Sequence, residues 1–418
     1  MMKMQLRMYL PSAPVWMCGF RSFFLASAGM AVALLGWWVL FLLTGGALPV
    51  PQVPGGPFIW HAHELIFGFA LAALAGFALT AFPEFTDTPS IAPCTVRRLF
   101  GLWLLGRLGF WLSGLLGAPA LALSGAAHLA LLGGLLYLLA PRLFAAPDRR
   151  HISFAWALLA LAGVVAGFYV DALRDEPPGR WLHVALGLFM IFIVLAMSRI
   201  SMRIMNDALN EEAARRGEAA DTVYRARPPK RNLAIVCIAA YTAAEFFLPG
   251  NRLGGWLALA AMAALLHLQS DWHLGRALLR RWPLILFSVY CLMAAGYALI
   301  GWDLLLASGT FSAGRHLLTV GGLGIAVYAV LNIAGRIHSG HPLERRAWVP
   351  IGAAALVLGA LLRAASAWPV LPAGVVWGAS GACWALAYAL WLWHMFPILS
   401  TARSDGGTEC EEILTPQE

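Results

Sequence analysis

Charge is what this chain has least of. Only 12% of its 418 residues are Asp, Glu, Lys or Arg, against about 25% in an ordinary soluble domain. So few charges cannot cover a water-facing surface, and 60% of the residues are hydrophobic. A soluble globular protein is excluded. Cysteine motifs are missing too. Cys18, Cys94, Cys237, Cys291, Cys383 and Cys410 form no C-x-x-C and no C-x-x-C-H. That excludes a zinc knuckle and a covalent c-type haem site, and such scattered cysteines do not predict a disulfide framework. There is no nucleotide-binding motif and no polar stretch long enough for a soluble catalytic domain.

Apolar runs fill the chain instead. A bilayer crossing takes about 20 residues, and twelve runs approach or exceed that length: 22–43, 58–82, 99–117, 119–140, 152–172, 181–205, 233–249, 253–269, 283–300, 314–336, 348–368 and 373–397. The fold class expected is all-α, a polytopic membrane protein of about twelve transmembrane helices. The run Phe23–Leu43 is too long for a signal-peptide core and lacks a cleavage site, so it is expected to stay as the first helix. Gly117–Pro119 leaves room only for a turn, which predicts an antiparallel hairpin of the third and fourth segments.

Loop charge sets the expected orientation. Counted alternately, one set of loops holds 22 Lys and Arg and the other holds 4. The rich set includes Lys3, Arg7, Arg149, Arg150 and the run around Arg225–Arg231; the poor set is Arg174, Arg180, Arg252 and Arg315. Both termini are expected in the cytoplasm. The net charge of +8 is then topological anchoring, not a nucleic-acid surface. The organisation expected is a six-helix half over 1–205, a cytoplasmic linker over 206–232, a second six-helix half over 233–397 and a disordered tail over 398–418.

Ionisable residues inside a membrane are costly and are functional candidates by default. His61, His63 and Glu64 open the second segment on the outer side, His183 the sixth and His316 the tenth. Glu245 lies in the outer half of the seventh segment and His128 near the middle of the fourth; His273 falls on the cytoplasmic side. Imidazole suits both copper and haem iron, so His61, His63, His183, His316 and His128 are the candidate metal or haem ligands. Hydration near the interface is the plainer reading of His183 and His316. His61 and His63 stand about 200° apart on a helix and cannot share one metal. Glu64 is expected on the His61 face. Gly68, Ala72, Gly76 and Thr80 form a small-residue stripe that admits either a neighbouring helix or a flat macrocycle. Arg107 requires a carboxylate, a carbonyl row or a propionate, or it snorkels. Trp60, Trp181, Trp302 and Trp348 read as interfacial anchors. Met190, Met197 and Met293 read as packing, with axial ligation the less common use.

"FRSFFL", "WHAHELIFGFALAALAGFALTAFPEFT", "LWLLGR", "RIHSGHPL" and "FPILSTARSDG" together resemble the NnrS family, in its order and from end to end. The second block is the specific one and includes Trp60, His61, His63 and Glu64. The pairs Gly106–Arg107 and Gly340–His341 match as well, and Arg199 is kept where a neighbouring Gly and Pro are absent. The run after Gly340 is shortened, and a histidine is missing from the ninth segment, which marks a divergent member. The resemblance implies a twelve-helix protein of the bacterial inner membrane. It also implies bound haem and copper, and a role in the response to nitric oxide or nitrosative stress, often beside denitrification. Electrons would then come from a donor protein or quinol. Besides the lipid bilayer, the partner implied is nitric oxide or another diatomic. The alternative from the residues alone is a proton- or metal-coupled secondary transporter using His61, His63, Glu64, His128 and Glu245, since twelve helices in two halves are a common transporter plan.

Overall fold

The computed structural model describes residues 13–146, 151–218, 223–272, 274–368, 372–407 and 410. Lys3, Arg7, Arg149, Arg150, His273 and the tail beyond Gly407, Cys410 apart, lie outside the described residues.

The chain is an all-helical polytopic membrane protein, with no strand among the described residues. Its long helices are α1 Gly19–Leu43, α2 Gly56–Phe85, α3 Pro93–Leu116, α4 Ala118–Ala145, α5 Ile152–Leu173, α6 Gly179–Ala214, α7 Pro228–Phe247, α8 Arg252–Gln269, α9 Arg281–Leu306, α10 Phe311–Ile337, α11 Trp348–Ala365 and α12 Ala373–Ser400. Each of the twelve expected runs falls on one of them. Among the described residues, eleven helices are long and apolar enough to cross a membrane. The exception is α7, where Lys230, Arg231 and Glu245 sit within 20 residues. α7 still runs between the two ends of the bundle, from Lys230 beside Asp271 to Glu245 beside Arg315. Several helices outrun their apolar cores, because polar residues continue a helix readily once it leaves the lipid. α6 reaches Ala214, nine residues past its expected end.

Gly117 alone joins α3 to α4, with φ of +68°. Glycine carries that backbone without a Cβ penalty, and the expected hairpin forms. α1 packs on both α2 and α12, so the first and last long helices are neighbours; Trp384 Nε1 donates to Ala31 O at 3.0 Å between them. α2, α6 and α10 form the centre: 89%, 72% and 78% of their apolar windows are buried. The small-residue stripe of α2 seats α1, with Gly76 against Phe23 and Phe24 and Gly68 against Met30. At those positions it serves helix packing.

Two central helices are wound more loosely in one turn each. Glu64–Ala70 of α2 and Leu317–Leu323 of α10 are π-helical. Such turns disturb the backbone ladder and recur at functional sites. In the first of these, side chains supply donors to the carbonyls, Trp103 Nε1 to Gly68 O at 3.1 Å and Ser27 Oγ to Phe69 O at 3.0 Å; just past the second, Tyr388 OH donates to Gly324 O at 2.8 Å. Irregular backbone survives at membrane depth only with such partners.

At the end of the bundle rich in arginine, called here the basic end, the termini come together. Arg21 donates to Thr401 O at 2.6 Å, Arg403 is buried and donates to His338 O at 3.1 Å, and Cys18 is disulfide-bonded to Cys410. The scattered cysteines had predicted no bridge. The pair is 392 residues apart in sequence and is joined only because α1 and α12 are neighbours.

Two of the four expected tryptophan anchors are internal. Trp60 and Trp348 are 2% and 6% exposed, whereas Trp302 is 56% exposed. Trp60 follows the inward face of α2, and Trp348 stacks on His394.

Candidate functional site

The opposite, histidine end holds a cavity of about 470 Å³ among α1, α2, α6, α10, α11 and α12. Three of the candidate histidines reach it: His61, His183 and His316. His61 stacks on Trp38, with ring centroids 4.4 Å apart and planes 12° apart. Among the described residues its ring makes no hydrogen bond. His316 Nδ1 lies 2.7 Å from Ser312 O. A carbonyl only accepts, so Nδ1 carries the proton and Nε2 keeps a lone pair. Ligating histidines are commonly fixed by such a bond. The wall is apolar elsewhere, apart from Arg315, Arg363, Ser312, Thr319, Ser380 and Trp377. Trp377 Nε1 is buried with no acceptor.

His183 is placed differently from the other two. Arg315 Nη1 donates to its Nε2 at 2.7 Å and Arg315 Nη2 lies 3.1 Å from its Nδ1. The same guanidinium pairs with Glu245 at 2.5 Å, and Tyr241 OH donates to the other Glu245 oxygen at 2.7 Å. His183 and Glu245 are therefore bound to Arg315, which lies inside α10 and not in a loop.

His63 and His128 lie in a separate buried network. His63 Nδ1 meets Glu64 Oε1 at 2.8 Å, and Arg107 Nη1 donates to that oxygen at 2.7 Å. Arg107 Nη2 also donates to His128 Nε2. Tyr169 OH bridges His63 Nε2 at 3.0 Å, His128 Nδ1 at 2.9 Å and Ser124 Oγ at 2.7 Å. All four ring nitrogens are in use. Arg107 does not snorkel; it is 2% exposed. Glu64 was expected to share the face of His61 but joins His63 instead. It opens the π turn, and the buried cation Arg107 holds its carboxylate on the other side of the helix. Glycine makes the room. A Cβ at Gly106 would stand 2.7 Å from the His128 ring, and one at Gly68 would stand 3.2 Å from Arg107 Nη1.

Of the family-motif positions near the basic end, Gly340 and His341 adjoin the C-terminal segment, and Arg199 packs on α2 and His151. Arg199 Nη2 donates to His151 Nε2 at 2.8 Å. Gly340 has φ of +79°, and a Cβ there would meet Asp405 at 2.7 Å. His341 lies 3.4 Å from Ser404 Oγ, and burial holds its imidazole below the usual value. Glu344 receives Arg346 at 2.6 Å and Arg336 at 3.1 Å. The Arg346 hydrogen bonds, before the Arg336 charge, hold its carboxyl down at about 2.

A family model described as NnrS protein matches residues 14–403. The chain belongs to the NnrS family. No curated protein matches it.

In this NnrS protein the residues at the histidine end fit a haem. The cavity volume lies within the roughly 300–1,000 Å³ of cofactor pockets. Its wall is largely apolar, two of its three imidazoles (His61 and His316) make no contact with an arginine side chain, and Arg363 with the unpaired Trp377 N–H suits carboxylates. A copper ion held by protein side chains fits less well, since among the described residues no three His, Cys, Asp or Glu come together to hold a metal. Sequence reasoning missed Tyr169, Ser124 and Trp38, which carry no signal of their own in an apolar run. It also gave Arg315 to a loop, although its place next to His316 within one turn was the available clue.

Proposed function

We propose that this NnrS protein binds haem in the cavity at its histidine end, with His61 and His316 as the ligating pair. In this reading it lies in the bacterial inner membrane, histidine end outward, and acts in the response to nitric oxide. One observation supports the reading: of the three imidazoles that line one largely apolar cavity, His61 and His316 come from separate central helices without an arginine partner, and His316 keeps Nε2 for a ligand. Haem, when bound, supplies an iron that takes diatomic ligands. The chain's own residues bind and orient it. Ser312 O fixes the His316 tautomer, Trp38 holds the His61 plane, Arg363 and Trp377 on the wall would hold the propionates, and the apolar wall would exclude water. Electrons, if the protein turns over, come from a quinol or a donor protein. No step is assigned to copper.

The transporter reading asks His61, His63, Glu64, His128 and Glu245 to form one path. They occupy three settings: His61 in the cavity, Glu245 on Arg315, and the other three around Tyr169 and Arg107. That separation favours the haem reading.

The test is a reduced-minus-oxidised spectrum of protein purified in detergent from haem-replete cells. Haem bands that shift with nitric oxide, and that disappear or change in His61→Ala and His316→Ala, are expected. A colourless wild type, or bands unaffected by both substitutions, would overturn the proposal.

A further inference from the structure

The bundle holds three cavities in file along its axis, and the same three helices line all of them. On α10 the walls run from Phe311 to Leu323, then Leu323 to Val330, then Val330 to Ile337. On α2 they run from Phe58 to Phe69, then Ala70 to Phe77, then Phe77 to Phe85. Leu323 is a wall of the first and second, and Phe77 and Val330 are walls of the second and third. At 1.5 Å per residue, His61 to Glu84 spans about 35 Å, comparable with a bilayer core of about 30 Å.

The volumes are about 470, 60 and 130 Å³ from the histidine end to the basic end. The two outer members of the file have polar rims. His61 and His316 mark one, Glu84 and Arg203 the other. The middle one has none: only Ala, Leu, Ile, Val, Phe and Met line it, and it is the least enclosed of the three. A water or ion there would have no hydrogen-bond partner, and burial without one is costly. Apolar cavities of this kind stay dry and take up apolar guests such as xenon. About 60 Å³ admits one or two molecules of diatomic size, a water's share of the liquid being roughly 30 Å³.

We infer that the middle cavity between α2, α6 and α10 is a dry binding site for a small apolar gas molecule, a station between the two larger cavities. As a gas site it stands alone. As a supply route to the histidine end it rests on the haem reading. It also bars this file to protons and ions, which would find no polar partner midway.

The probe is xenon, applied under pressure to crystals of the full chain. Xenon is expected in the middle cavity of the wild type and is lost in Ala326→Phe, whose ring fills that space. The cavity at the histidine end should keep its shape in the variant and so report folding. Ala196→Leu, from the α6 wall, is the second, milder block. Ordered water in the middle cavity, no xenon there in the wild type, or xenon undiminished in both variants would overturn the assignment. In haem-loaded protein, xenon should also raise the fraction of photolysed carbon monoxide that rebinds before escape. Unchanged rebinding with xenon bound would overturn the link to the histidine end. Xenon uptake by a colourless protein would overturn the haem reading alone.

Discussion

Arg107 on α3 donates to Glu64 on α2 at 2.7 Å, with the two side chains 3% and 1% exposed. Two charges so deep are held by each other and by the histidines beside them. Removing one partner of a buried pair costs about 3–5 kcal/mol, because the other charge is left uncompensated, whereas removing both costs much less. Arg107→Met should therefore unfold markedly earlier than wild type in detergent. Glu64→Gln together with Arg107→Met should recover part of the loss. Strictly additive losses in thermal unfolding would contradict a coupled pair.

Gly106 precedes that arginine because His128 lies where a side chain would go. Gly106→Ala puts a methyl 2.7 Å from the imidazole, and overpacking of this kind costs about 1–3 kcal/mol. Gly101, earlier on α3, has nothing within 4 Å of where a Cβ would stand. Gly101→Ala should be neutral or stabilising by about 0.5–1 kcal/mol, as expected for glycine in a helix. The same substitution on the same helix thus changes sign. Equal effects on the midpoint of unfolding would count against the close approach.

The three histidines at the cavity are expected to separate in one experiment. The acceptor nitrogen of His183 is taken by Arg315, and the guanidinium lies along the ring, so His183→Ala should leave the haem bands in place. It should instead weaken the Arg315–Glu245 contact and lower stability. His316→Ala should remove or shift the bands. A spectrum lost in His183→Ala but kept in His316→Ala would exchange their roles.

Much of this was legible in the residues. Apolar length alone placed the helices, and the 200° between His61 and His63 set them in different surroundings. The rest depends on relations that no local pattern encodes. The π turn that opens at Glu64 comes from packing and from donors on α1 and α3, so the carboxylate could not be assigned to its face in advance. Tyr169 became the hub of a network only because α5 lies beside α2 and α4. The disulfide between Cys18 and Cys410 required knowing that the first and last helices adjoin.

Glu344 offers a pH test outside the membrane. Arg346 donates to it from its side chain, with Nη2 at 2.6 Å and Nε at 3.0 Å, and from its backbone N–H at 3.0 Å; Arg336 adds a second cation. These hold the folded carboxyl at about 2, below the ordinary 4.5. A carboxyl with a depressed folded value stabilises the protein fully above its unfolded value. That contribution is lost as pH falls from about 4.5 through about 2, because the unfolded chain takes up its proton first. Glu344→Gln has no such proton to bind. The wild type should therefore exceed it in thermal stability by a constant margin between pH 7 and 5, and the margin should shrink steadily below pH 4.5. His341 works in a different window: burial lowers its value, so acid costs stability as pH falls below about 6.5. It is present in both proteins and drops out of the difference. A margin unchanged from pH 7 to pH 3 would mean that the Glu344 carboxylate does not hold the loop between α10 and α11.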